Sequence, residues 1–283
     1  MAINAGLSAS EPRAQRWATL PDVGLFASAA LLVAVTWVFW SLAFALQPAW
    51  LGRSFGIDFG IYLQALDRWL ATGEWYQARQ LSGPYAIALG DVLYPPALIV
   101  LLLPFKVLGG IAWALFPLVI IAWSVWRQRP RLWATSLILL CVAWPYTPAK
   151  FVFGNPVIWA AAALALATTT GRLARWPAAL VLLKPSVVIF GLLGVRDRRW
   201  WIAAAVIGLV SFAIFLEPTL QYPQVLLDAR TNPVDGRGGI LYSLQEFPLL
   251  AIPLIAWLGA RDREPPRVRL RLPLRFPRVT RAR

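Results

Sequence analysis

The chain has 283 residues, of which 59% are hydrophobic and only 14% charged, with a mean hydropathy of +0.62. Soluble domains carry about 25% charge, so the composition predicts a polytopic membrane protein rather than a water-soluble enzyme. The absence of histidine excludes a His general base, a Ser-His-Asp triad and His-ligated metal, and the single cysteine, Cys141, excludes an internal disulfide. The formal charge of +14 comes almost entirely from arginine, the only lysines being Lys106, Lys150 and Lys184. These arginines fall in short runs between apolar segments, a pattern that sets membrane topology and argues against nucleic acid as a partner.

Residues 1–22 read as a polar, disordered cytoplasmic N-terminus holding Arg13 and Arg16. An apolar span follows over 23–46, long enough to cross ~30 Å of hydrocarbon. Its end, Ala43-Phe44-Ala45, resembles a signal-peptidase site, but the apolar core is too long for a signal peptide and reads as an uncleaved helix. The stretch 47–93 is then outside. Within it Phe59, Tyr62, Leu63, Leu66, Trp69 and Leu70 recur at helical spacing, predicting a helix on the membrane surface that ends at Gly73. Asp58 opens this helix, either as its N-cap or as a general base.

Tyr94-Pro95-Pro96 fixes the start of the next apolar run, the prolines being tolerated in a first helical turn and the tyrosine suited to the headgroup level. Residues 95–126 hold apolar pieces broken by Pro104, Lys106 and Gly109-Gly110, and lead to Arg127, Arg129 and Arg131. Two full crossings would put these arginines outside, so either one piece is re-entrant or the positive-inside rule fails locally. The reading then places 132–145 as an outward segment, 146–155 as an outer loop, 156–170 as a return, and 176–195 as half-helices broken at Lys184-Pro185. Residues 200–216 go out to a second outer loop, 217–246, and 247–260 return. Asp58, Asp67, Glu74, Asp91, Glu217, Asp228, Asp235 and Glu246, most of the chain's 13 acids, lie in these two outer loops. From Arg261 the chain is a basic cytoplasmic tail, read either as a disordered segment near anionic headgroups or as a shortened or frame-shifted end. The expected architecture is all-α: an integral membrane domain over 23–260 with about eight membrane segments.

Lys184 stands mid-run, where an ionisable group costs at least ~2.5–3.5 kcal/mol and calls for a polar cavity and a partner such as phosphate. Lys150, flanked by Pro148 and Phe151, reads as an interface residue. Arg230 and Arg237 lie in a glycine-rich loop and either clamp a phosphate or are merely solvated. No Walker loop, GxGxxG or Asp-x-Asp pattern is present, so a nucleotide-sugar site is not visible. A donor already in the membrane fits better.

The ordered set DFGIYLQALDRWLATGEWY (58–76), LYPPALIVLLLPF (93–105), FGNPVIWAAAALALA (153–167), LVLLKPSVVIFGLL (180–193) and Arg198-Arg199-Trp200 resembles glycosyltransferase family 87, the polyprenyl-phosphate-sugar-dependent transferases of GT-C type. The resemblance covers about half the chain. It implies a GT-C helical bundle whose first outer loop carries the base, at the position of Asp58, and sets Lys184 at the family's Lys-Pro position, near the donor phosphate. Asn155 falls where the family often has Gly-Gln-x-Asn-like residues, while Tyr62 and Tyr94 support the substrate loop. Family members are usually longer, with further membrane helices at the C-terminal end, where the resemblance leads one to expect more than this sequence shows.

The expected reaction is transfer of a hexose, mannose foremost, from a polyprenyl-phosphate donor to a lipid or glycan hydroxyl on the outer face of the inner (cytoplasmic) membrane, with Asp58 as base and with neither metal nor cofactor. The competing readings are a transporter or lipid flippase built around Lys184, and a shortened inactive relative.

Overall fold

The structure is a computed structural model and describes residues 20–46, 55–169, 175–231 and 244–260. It is mostly helical. Helix α1 (Leu20–Leu46) is followed by α2 (Ile57–Thr72), the short α3 (Leu98–Leu102) and the long α4 (Phe105–Gln128). Then come α5 (Leu132–Ala143), α6 (Tyr146–Phe153) and α7 (Val157–Thr169), and two consecutive 3₁₀ segments, Trp176–Leu183 and Pro185–Gly194. Helices α8 (Arg198–Ile214), α9 (Leu216–Asp228) and α10 (Phe247–Leu258) complete the order. Two two-residue strands, β1 (Tyr85–Ala86) and β2 (Ala229–Arg230), pair in parallel and tie the first polar loop to the end of α9. Arg237 and the N- and C-terminal tails lie outside the described residues, apart from 20–22, which belong to α1.

The core forms around α7, VIWAAAALALATT, a helix apolar on every side and almost wholly buried. Its alanines let neighbours approach closely, and α4, α10 and the segment Trp176–Leu183 pack around it. Helix α5 lies between α1 and α10, and α8 packs on Trp176–Leu183. The outer faces are as apolar as the core: Val107 is 89% exposed, and Leu31, Trp37, Phe39, Ile111, Trp126, Leu209 and Phe212 also point away from the bundle. Contiguous apolar surface of this kind marks an interaction with an apolar medium or partner.

Among the described residues one helix, α4, is by itself long and apolar enough to cross a membrane. The pairs α5–α6, bent by 59°, and α8–α9, bent by 109°, raise this to three if each is one broken span. The segment 95–126 thus holds one short helix, α3, and most of one long one, α4. Gly109 (φ 82, ψ 172) breaks the helical backbone inside α4. The expected break at Lys184-Pro185 is present: Lys184 is extended (φ −137, ψ 99) between the two 3₁₀ segments. At about 2 Å rise per residue, these segments run roughly 16 and 20 Å, too short for a 30 Å crossing.

Two expected loops are corrected. Residues 146–155 are largely helical (α6), because Pro145 supplies the first turn and Gly154 a left-handed cap. Within the expected loop 217–246, residues 217–228 belong to α9, which starts after a sharp bend at Phe215 and carries Pro223 within it.

Hydrogen bonds sort the helix ends into two groups. At one end Arg131 N–H donates to Gly259 O (2.8 Å), Arg175 Nη1 to Leu193 O (3.3 Å), and Gln128 Nε2 to Ser124 Oγ (3.0 Å) and Thr168 Oγ1 (3.3 Å). The arginine-flanked ends 127–131, 175, 194–199 and 258–260 lie here. At the opposite end α2, α6, the Lys184 break and the start of α10 converge.

Candidate functional site

Helix α2 begins at Gly56 in the left-handed region (φ 68), whose N–H donates to Val152 O (2.7 Å) and so fastens α2 to α6. Gly56, not Asp58, is the N-cap, and no side chain caps the helix. Asp58 sits instead in the first turn, where the unpaired N–H groups favour an anion. Its neighbours Phe59, Tyr62, Ala65 and Leu66 turn inward, and the helix closes at Gly73, whose N–H donates to Trp69 O (2.8 Å).

The carboxylate faces a cavity of about 620 Å³ that Asp58, Tyr62, Tyr94, Lys150, Asn155 and Lys184 line together with Glu246. A chain of hydrogen bonds crosses it. Asn155 Nδ2 donates to Asp58 Oδ2 (2.7 Å), and Tyr94 OH donates to Asn155 Oδ1 (3.4 Å). Lys184 Nζ donates to Tyr94 OH (2.7 Å) and to Glu246 Oε1 (2.5 Å), while Lys150 Nζ lies 3.5 Å from the same Glu246 oxygen.

Each member is held by its backbone. Trp75 Nε1 and Tyr76 OH both donate to Tyr94 O at 3.1 Å, and Tyr62 packs edge-on against the Tyr94 ring at 5.2 Å. Asn155 follows the Gly154 cap, and its N–H donates to Lys150 O (2.9 Å) while its Oδ1 accepts Val157 N–H (3.1 Å). The extended backbone at Lys184 turns its ammonium towards Tyr94 and leaves it 5.0 Å from that ring's centre.

Burial lifts the Asp58 carboxyl above the ordinary carboxylate range. The Asn155 hydrogen bond and the charges of Lys150 and Lys184 oppose this, and Glu246 adds to it. A carboxylate of raised basicity beside a cavity is suited to taking a proton from a hydroxyl. The two ammonium groups opposite are suited to an anion. Among the described residues no cluster of three or more Cys, Asp or Glu is placed to hold a metal ion.

Five of the residues named from sequence, Asp58, Tyr62, Tyr94, Asn155 and Lys184, therefore share one cavity. Arg230 does not line it: its guanidinium is exposed and donates to Leu227 O and Ala229 O at the end of α9. Lys150 and Glu246 do line it, although the sequence reading took Lys150 as an interface residue and Glu246 as one more outer-loop acid. One signal was available for each. Lys150 is one of three lysines in an arginine-rich chain, and Glu246 directly precedes an apolar run.

Gly154 holds this geometry at one point. Its φ is +72, a Cβ there would lie 2.8 Å from Phe59 Cβ, and its carbonyl accepts Trp113 Nε1–H at 2.8 Å. Gly154→Ala is expected to cost about 1–3 kcal/mol, read as a lower apparent Tm in detergent. Gly60→Ala, where nothing stands within 4 Å of the new methyl, is the control that leaves Tm unchanged or higher.

Comparison of the chain with protein-family models, curated proteins and solved structures returns no match.

Proposed function

We propose that the protein is a membrane-embedded glycosyltransferase that moves a hexose, mannose foremost, from a polyprenyl-phosphate donor to a hydroxyl acceptor. The observation that carries the reading is the hydrogen-bonded chain Asp58–Asn155–Tyr94–Lys184, which sets a basic carboxylate at one side of a cavity and cations at the other. In the reaction, Asp58 takes the proton of the acceptor hydroxyl as that oxygen attacks the anomeric carbon. The bond from that carbon to the donor's phosphate oxygen breaks with inversion, and the phosphate leaves with the electron pair. Lys184 and Lys150 oppose the charge that develops on it.

The membrane part of the proposal is supported by the outward apolar side chains of α1, α4 and α8 and by the grouping of the arginines at one end of the bundle. Positive charge favours the cytoplasmic side, so the cavity opens on the outer face of the cytoplasmic membrane. The short and bent segments then belong to a bundle in which only some elements cross completely.

The buried Lys184–Glu246 pair at a helix break also suits a transporter. The two readings part in membranes given labelled polyprenyl-phosphate mannose. The transferase forms a mannosylated lipid or glycan product in membranes containing the protein and not in membranes without it. Uptake of the label without product, unchanged in Asp58→Ala, establishes the transporter and refutes the transferase.

A further inference from the structure

The charged groups opposite Asp58 form a unit of their own. Lys150, Lys184 and Glu246 have side-chain exposures of 6%, 14% and 1%, and a single carboxylate oxygen, Glu246 Oε1, serves both lysines. Its other oxygen, Oε2, is buried without a hydrogen-bond partner among the described residues. An ion group that leaves an acceptor orphaned is a poor stabilising device, because that oxygen loses water and regains nothing. The backbone that carries the carboxylate is also anchored. Glu246 stands at the head of α10, its carbonyl accepts Leu250 N–H (3.3 Å), and Leu249 and Leu250 beyond it are fully buried.

We propose that Glu246 sets the charge accepted by the cavity's anion subsite: with Lys150 and Lys184 it makes a fixed net charge of +1, which fits a singly charged phosphodiester and disfavours a doubly charged phosphate monoester. This rests on the donor reading above and deepens it. A polyprenyl-phosphate sugar is a phosphodiester with one charge. The polyprenyl phosphate left after transfer is a monoester that carries a charge of about −1.5 to −2 near neutral pH, its second pKa being about 6. Two lysines alone would retain that product. The cost of desolvating an ion grows with the square of its charge, whereas its attraction to the cluster grows only in proportion; with the carboxylate halving that attraction, the second charge is not offset, and the same cluster that stabilises the leaving phosphate also releases it. Asp58 lies at the far side, coupled through Asn155 and Tyr94, and Asp91 is held by Arg79, so neither carboxylate replaces Glu246 at the lysines.

The test uses the full chain in detergent with two probes, polyprenyl-phosphate mannose and polyprenyl phosphate, their Kd values measured at pH 8. Wild type prefers the diester. Glu246→Gln, which keeps an oxygen facing the lysines, tightens the monoester about tenfold or more and the diester less than threefold, while Glu246→Asp retains the wild-type ratio. An unchanged ratio in Glu246→Gln, or the same shift in Glu246→Asp, overturns the charge assignment and leaves the donor reading standing. Failure of wild type to bind either probe overturns both. If Glu246→Gln does not fold, wild type alone decides from pH 5.5 to 8. The diester senses every titrating protein group near the subsite, Asp58, Lys150, Lys184, Glu246 and Tyr94 included. The monoester affinity must therefore fall relative to it as the probe's second proton leaves, and a flat ratio overturns the proposal.

Discussion

Asp58→Asn removes at least about 100-fold of the sugar-transfer rate and at the same time raises the apparent Tm at neutral pH. Asn is nearly isosteric, and its side-chain oxygen still accepts the Asn155 amide proton, so the cavity keeps its shape and loses only a base. The stability gain follows from the raised carboxyl pKa, caused first by burial. Between the ordinary carboxylate value and the raised one, the folded chain binds more protons than the unfolded chain. Stability therefore falls as pH rises through that window and is lowest above it. The Asn variant lacks this penalty. Its Tm advantage is greatest at neutral pH and shrinks as pH falls towards the ordinary carboxylate range. The wild-type rate, in turn, falls on the acid side as the carboxyl takes up its proton. Equal transfer by the two proteins, or a lower Tm for the variant at neutral pH, defeats the assignment of Asp58 as base.

What made Asp58 visible in the sequence was local. An acid opening a run of Phe59, Tyr62, Leu66 and Trp69 at helical spacing marks the first turn of a half-buried helix, and Gly73 marks its end. The Lys184-Pro185 break was legible for the same reason, since proline in an apolar run removes a backbone donor and ends the helix before it. Pattern reading took 146–155 and 217–246 as loops and missed the helices α6 and α9 within them, because their prolines and polar residues resemble loop punctuation. In the fold, Pro145 occupies the α6 N-cap and Pro223 lies inside α9.

The partnership of Lys150, Lys184 and Glu246 carries no local signature at all. Glu246 lies 62 residues from Lys184 in sequence, and only the convergence of α6, the 3₁₀ break and α10 creates the triad. Glu246 read in isolation is one more acid in an outer loop; in the fold it is buried in the cavity beside both lysines.

That convergence sets an asymmetry in the effects of substitution. Glu246→Leu leaves two ammonium groups facing one another in a buried site with their common carboxylate gone. Breaking a buried ion pair from one side costs about 3–5 kcal/mol, enough to deplete the folded protein. Lys184→Met is milder, because Glu246 keeps Lys150 at 3.5 Å and the methionine fills the volume of the lysine stem. The double variant Glu246→Leu with Lys184→Met removes one of the two facing like charges, and so recovers part of the stability that Glu246→Leu alone loses. It recovers no transfer, since Lys184, one of the two cations that oppose the leaving phosphate, is absent. The apparent Tm in detergent should therefore rank wild type first, then Lys184→Met, then the double variant, then Glu246→Leu. A double variant less stable than Glu246→Leu would show that the two side chains do not interact across the cavity. A Lys184→Met loss as large as that of Glu246→Leu would show that Lys150 does not share the carboxylate. Either result removes the three-charge cluster from which both the stabilised phosphate and its release are argued.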